Sequence, residues 1–171
     1  YIIGSTGDDI NEYDLGVAWK ISTATYLQNF VISAQDRVPT GITFKPDGTK
    51  MYVLGSTNDA VHQYTLTTAW DISSASYDRI LLSVRVQDIT PTGLFFKPDG
   101  TSLYIIGEGV DSIHQYSLGV PWNLTSAESS SIGVLKQDNR PTDLAFSDDG
   151  SIMYVIGSGS DSVHQYTLNT P

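Results

Sequence analysis

PTGITFKPDGTKMYVLGSTNDAVHQYTL, residues 39–66, returns as PTGLFFKPDGTSLYIIGEGVDSIHQYSL at 91–118 and as PTDLAFSDDGSIMYVIGSGSDSVHQYTL at 141–168. The opening YIIGSTGDDINEYDL, residues 1–15, is the latter half of the same unit. Aligning Tyr1, Tyr52, Tyr104 and Tyr154 gives spacings of 51, 52 and 50 residues, a period that marks propellers, solenoids or arrays.

Within one unit, residues 41–45 and 50–54 are apolar, β-branched or aromatic, and Pro46-Asp47-Gly48-Thr49 joins them. Pro presets the first turn dihedral, Asp bonds back to the backbone and Gly accepts a positive φ, so the segment reads as a hairpin. A turn at Ser56–Asp59 leads into a third strand over 61–66, and a fourth apolar stretch, 80–86, closes the unit. Four antiparallel strands per repeat of about 51 residues predict an all-β fold, a β-propeller built from four-stranded blades. The expected blades are 39–90 and 91–140, with partial blades at 1–38 and 141–171. Counted as bcd, abcd, abcd and abc, from the axis outward, the chain is incomplete at both ends. It is expected to belong to a longer repeat array or to join copies of itself.

The motif PTGxxFxPDGTxxYVxG resembles the repeat of YVTN-type and NHL-type β-propellers, relatives of the WD40 group, along essentially the whole chain. The resemblance implies a toroid used for binding, often on surface-layer, secreted or viral proteins. The repeats here are longer, chiefly through the insert around residues 69–75.

Composition narrows the partners. With 9 basic and 19 acidic residues the formal charge is −10, and no basic cluster interrupts it, which disfavours nucleic acid. Cysteine is absent, so neither disulfides nor thiolate metal sites form. No apolar run reaches the roughly 20 residues of a membrane-spanning helix, so no membrane insertion is expected. The chain begins in mid-repeat and without Met, so a leader or anchor on a longer parent stays open. Asn123-Leu124-Thr125 is an N-glycosylation sequon, a tripeptide common by chance.

Three repeated features are candidate sites. Asp36, Asp88 and Asp138, each after a Gln and shortly before Pro-Thr, fall in the loops at one mouth of the central channel. As a carboxylate ring they suit a cation, with Ca²⁺ the ion expected if any cofactor is present, or a polar ligand; as turn residues they accept backbone N–H groups. Asp8, Asp59, Asp111 and Asp161 add charge to the same mouth or form its turns. Trp19, Trp70 and Trp122, on the opposite face, read either as sugar-stacking platforms or, with Ile72, Ala75 and their counterparts, as apolar plugs. His62, His114 and His164 stand too far off the axis to share one ion, and read as hydrogen-bonding packing residues like Tyr13, Tyr64, Tyr116 and Tyr166.

No HExxH, GxSxG, P-loop or GxGxxG motif is present, and Glu12, Glu108 and Glu128 occupy unrelated repeat positions. The departures from the repeat, Asn11 for His and Asp143 for Gly, form no familiar constellation. The expected function is therefore a non-catalytic extracellular, cell-surface or virion propeller for adhesion or recognition, of glycans in the first instance. A structural subunit of an extracellular fibre or layer is the alternative. A hydrolase or lyase whose site lies outside this segment is the third reading.

Overall fold

The computed structural model describes residues 1–134 and 137–168. Its strands form four separate antiparallel sheets in chain order. The first comprises β1 (Ile2–Gly4), β2 (Asp9–Leu15) and β3 (Ala24–Val31). The second comprises β4 (Pro39–Phe44), β5 (Lys50–Gly55), β6 (Ala60–Leu66) and β7 (Ala75–Ser83). The third comprises β8 (Pro91–Phe96), β9 (Ser102–Gly107), β10 (Ser112–Leu118) and β11 (Ala127–Val134). The last comprises β12 (Pro141–Phe146), β13 (Ile152–Gly157) and β14 (Ser162–Thr167). Each sheet is a blade, and the fold is an incomplete β-propeller.

Why the middle strands carry unbroken apolar runs follows from their two-sided burial. Along β5, Met51 and Val53 pack back onto Ile10 and Ile32 of the first blade. Tyr52 and Leu54, between them in sequence, pack forward onto Leu103, Ile105 and Trp122 of the third. The same alternation places Ile106 and Ile113 against Leu144, Met153 and Val155. The core thus lies between blades rather than inside them. Each fully buried aliphatic side chain contributes about 1.5–3 kcal/mol.

The hairpins form as their residues dictate. Asp47 Oδ1 accepts from Thr49 N (3.0 Å) and Oγ1 (2.6 Å), and Gly48 takes φ +72°. Asp99 and Asp149 repeat this arrangement. Near the axis, Thr40 Oγ1 donates to the Pro91 carbonyl (3.0 Å) and Thr92 Oγ1 to that of Pro141 (2.9 Å), linking neighbouring inner strands.

One strand expectation shifts. The outer strand of the second blade runs Ala75–Ser83 rather than 80–86, and Val86 is exposed beyond it. Gln63 pairs with Ile80 and Tyr64 with Tyr77, leaving Asp78 and Arg79 as a bulge, with Arg79 at φ +59°. A polar, half-exposed outer strand has little apolar signal, and the bulge breaks its alternation.

Candidate functional site

The loops that enter the inner strands and the turns between second and third strands share one face of the arc, and a carboxylate ties each pair together. Asp88 Oδ1 accepts from Thr90 N (2.7 Å) and Gly109 N (3.1 Å), and Oδ2 accepts from Val110 N (3.1 Å). Asp36 accepts from Val38, Thr57 and Asn58, and Asp138 from Arg140, Gly159 and Ser160. All three are buried. Gly55, Gly107 and Gly157 lie beneath them, where a Cβ would strike the carboxylate. The ring reading of Asp36, Asp88 and Asp138 is thereby corrected. Their oxygens point at N–H donors within each blade instead of converging on the axis. Among the described residues no group of three or more His, Cys, Asp or Glu is placed to hold a metal. Asp8, Asp59, Asp111 and Asp161 close the facing turns at φ of 49–51°.

Behind each clamp stands the repeated histidine. His164 Nε2 lies 2.9 Å from Ser160 Oγ, whose hydroxyl donates to Asp138 Oδ2 at 2.5 Å. These are the residue types of a hydrolytic triad without its wiring. The carboxylate binds the serine directly instead of orienting the imidazole through Nδ1. The Ser160 hydroxyl and its backbone partners hold Asp138 down to about pH 2, too weak a base to activate a nucleophile. Blades two and three have Asn58 and Val110 in place of Ser160, and there His62 Nε2 and His114 Nε2 are buried with no hydrogen-bond partner among the described residues. Burial pushes both imidazoles below their ordinary value of about 6.5, outweighing the nearby Asp36 and Asp88.

That shift has a sign. Below about pH 6.5 the unfolded chain protonates these histidines while the folded chain resists, so stability falls as pH drops toward the folded-state values. Replacing His62 and His114 by Asn, the residue the first repeat carries as Asn11, is expected to flatten the urea midpoint between about pH 6.5 and 5 relative to the parent. Groups common to both proteins cancel in that difference. An unchanged slope would show that the imidazoles carry none of it.

On the opposite face the tryptophans follow a gradient. Trp19 is 99% exposed, Trp70 44% and Trp122 9%. All three adopt φ of 63–67°. Trp122 stacks on Phe96 (4.8 Å between centroids), covers Gly100, and its carbonyl accepts from Tyr52 Oη of the preceding blade (2.5 Å). Trp70 repeats this over Phe44 and Gly48, with Tyr1 as donor. Trp70 and Trp122 thus pack as apolar plugs between blades. Asn123 Oδ1 accepts from Thr125 N (3.0 Å) as a cap, the role Asp71 has one blade earlier.

Where the repeat is broken, polar groups gather at one junction. Glu108 replaces the Ser of Ser56 and Ser158, and Arg140 replaces Val38 and Thr90. Glu108 Oε2 lies 3.6 Å from Arg140 Nε across the third and fourth blades. Asp143 occupies the place of Gly41 and Gly93 on the inner strand. Its Oδ1 accepts from Leu144 N (2.9 Å) and lies against Gly93, and desolvation there pushes the carboxyl above its ordinary value. Asp143 against Gly93 and the Glu108–Arg140 pair are thus both charged departures from the repeat between the third and fourth blades. The sequence showed Asp143 as a departure but gave no partner for it. Glu108 stood in the sequence only as a glutamate at an unrelated repeat position, and nothing singled out Arg140.

Residues 14–171 match the lactonase family of seven-bladed β-propellers. The chain belongs to that family. Several solved propellers resemble this lactonase-family chain in fold. A Bacteroides fragilis protein named as a candidate 6-phosphogluconolactonase superposes with a TM-score of 0.69 at 13% identity, over 95% of this chain and 45% of its own. A second so named, from Bacteroides uniformis, gives 0.67 at 16% identity, over 95% and 48%. The periplasmic gluconolactonase of Pseudomonas aeruginosa gives 0.59 at 16% identity, over 77% and 37%. The chain thus spans less than half the length of these structures. Comparison with curated proteins gave no match.

Membership confirms the propeller and corrects the function. The match is to the lactonase propellers and does not confirm the YVTN or NHL subtype. The expectation of a non-enzymatic adhesion or glycan-recognition module, and the fibre-subunit alternative, give way to a hydrolase family. Among the described residues no helix is long and apolar enough to cross a membrane. One lactonase-type neighbour is periplasmic.

Proposed function

We propose that this chain supplies about half the ring of a hydrolase acting on a sugar-acid lactone. The observation that carries the reading is the lactonase-family match across residues 14–171. The break in repeat symmetry at Glu108, Arg140 and Asp143 supports it, because chemistry on one small substrate needs a unique constellation where packing needs a repeated one. The solved propellers named for gluconolactone substrates support an aldonolactone as the class. The periplasmic neighbour supports an exported location.

In this reading the lactone carbonyl lies at the mouth beside Arg140. Ionised Asp143 takes a proton from water, whose oxygen bonds to the carbonyl carbon, and Arg140 faces the oxyanion that forms. Collapse breaks the ring C–O bond and the proton passes to the departing ring oxygen, giving the open hydroxy acid. Glu108 positions Arg140. The acidic surface does not draw in an anionic substrate, so an uncharged lactone fits better than a phosphorylated one.

Titration of acid released from glucono-δ-lactone, corrected for spontaneous opening, tests this. Arg140→Ala is expected to lower kcat/KM about 100-fold. The parent rate should rise with pH through a value above the ordinary carboxylate value of about 3.9, and Asp143→Asn should remove that limb. A rate equal to the uncatalysed one, or an unaffected Arg140→Ala protein, would sink the assignment.

A further inference from the structure

A groove of about 540 Å³ lies between the second and third blades, beside Trp122. Every residue that lines it belongs to these two blades, each of which has all four strands. Its volume is that of a small-molecule site. Two lysines meet there because of the hairpin. Lys45 and Lys50 flank the Pro46–Thr49 turn, Lys45 N donates to the Lys50 carbonyl (2.9 Å), and both side chains line the groove. Lys50 is particular to this repeat, since Ser102 and Ile152 hold its position in the next two. Its Nζ donates to Thr65 Oγ1 (3.0 Å) and Asp78 Oδ2 (3.1 Å), and Gln63 Nε2 donates to the same carboxylate oxygen (2.7 Å). Gln63 is buried, and its Oε1 accepts from Leu124 N of the third blade (3.4 Å), so the cluster spans the junction.

The outer strand is deformed at this cluster. The first and third blades carry one unpaired residue in the bulge, Leu27 and Ser130, whereas the second carries two, Asp78 and Arg79. The additional residue leaves Arg79 at φ +59°, unfavourable for any side chain with a Cβ, and Asp78 is turned toward Lys50 and Gln63. Packing of an outer strand does not require this, because both neighbouring blades do without it. Bulges that re-aim a side chain concentrate beside functional sites.

The hydrogen-bond inventory decides the ligand. Asp78 Oδ2 is taken by two donors, and Asn123 Oδ1 by Thr125 N and Oγ1. The donors are not used up. An ammonium carries three N–H groups; among the described residues Lys45 meets Asp47 alone (2.7 Å), and Asn123 Nδ2 has no partner. A surplus of donors calls for a ligand that only accepts, which is an ionised carboxylate. Asp47 and Asp78 already offset much of the two ammonium charges, so a single negative charge suits the groove better than the double charge of a phosphate. Ile80, Val120 and Pro121 line the rest and suit an apolar body. We propose that this groove binds a small organic monocarboxylate, its oxygens on Lys45, Lys50 and Asn123 Nδ2 and its body along Ile80, Val120 and Pro121. The site is separate from the lactone reading and shares no residue with Glu108, Arg140 and Asp143.

Side-chain amide and indole N–H resonances of the ¹⁵N-labelled chain, followed during titration with sodium benzoate at constant ionic strength, test this. Saturable shifts are expected at Gln63, Asn123 and the Trp122 indole, with Trp19 and Trp70 unmoved. Acetate, which lacks the body, and benzyl alcohol, which lacks the charge, should each bind at least about 10-fold more weakly. Lys45→Gln leaves the wiring of Lys50, Asp78 and Gln63 in place, so the rest of its spectrum should match the parent while benzoate binds about 10-fold more weakly. No saturable shift at these residues with benzoate, equal affinity for either control compound, or unchanged benzoate binding in Lys45→Gln would each overturn the proposal.

Discussion

Asp88→Ala is expected to lose about 4 kcal/mol or more, a large part of the roughly 5–15 kcal/mol margin of an ordinary domain. The carboxylate is the shared acceptor for Thr90, Gly109 and Val110, N–H groups of two loops otherwise joined at that point by Glu108 N donating to the Thr90 carbonyl (3.0 Å). Removing it strands three donors, each costing about 1–3 kcal/mol when left without a partner. It also opens a void beneath Gly107, whose missing Cβ is what makes room for the carboxylate. Hydrogen bonds within the strands do not compensate, because these donors lie outside the ladder. Asn keeps one acceptor but turns an amide donor toward the remaining N–H groups, so Asp88→Asn should fall between Ala and the parent. In urea unfolding the midpoint should drop with little change in slope. A loss under 1 kcal/mol for Asp88→Ala would mean that water replaces the carboxylate, and the clamp would no longer explain its burial.

That clamp marks where the sequence was readable and where it was not. The repeat length, the PDGT hairpins and the count of strands followed from residue types, because turn chemistry and apolar runs are local. The role of Asp36, Asp88 and Asp138 was not local. A carboxylate before Pro-Thr reads equally as a ligand or as a turn acceptor. What decides is a residue far along the chain: Gly55, Gly107 and Gly157 each follow their Asp by nineteen positions. Only the folded loops bring that pair together. The tryptophans were ambiguous for a similar reason. Indole suits both a sugar platform and a plug, and the glycine it covers lies across two strands and a turn.

Function was hidden by the same symmetry that revealed the fold. Residues present in every repeat, His62, His114 and His164 among them, drew the search for chemistry, yet repetition is what packing between blades requires. Glu108, Arg140 and Asp143 each occur once, and single departures carry no pattern until the blades set them at one junction.

The plug can be weighed by a pair of glycines that differ in one respect. Gly100 and Gly150 hold the same hairpin position at φ +74° and +70°. Among the described residues a Cβ on Gly150 meets nothing within 4 Å, whereas on Gly100 it collides with the Trp122 indole at Cδ1 and Nε1. Alanine at either position bears the left-handed backbone cost of about 1–2 kcal/mol. At Gly100 the indole must also leave Phe96 and Tyr52, forfeiting buried aromatic contact and the register that Tyr52 Oη gives to the Trp122 carbonyl. Overpacking of that kind adds about 1–3 kcal/mol. Gly150→Ala should therefore lower Tm by about 2–8 °C and Gly100→Ala by about 4–20 °C, with Gly100→Ala always the lower within one experiment. Trp122 fluorescence should shift to the red in Gly100→Ala alone. Equal losses at the two glycines would assign the whole effect to backbone strain, and the indole would then cover the third blade without holding it to the second.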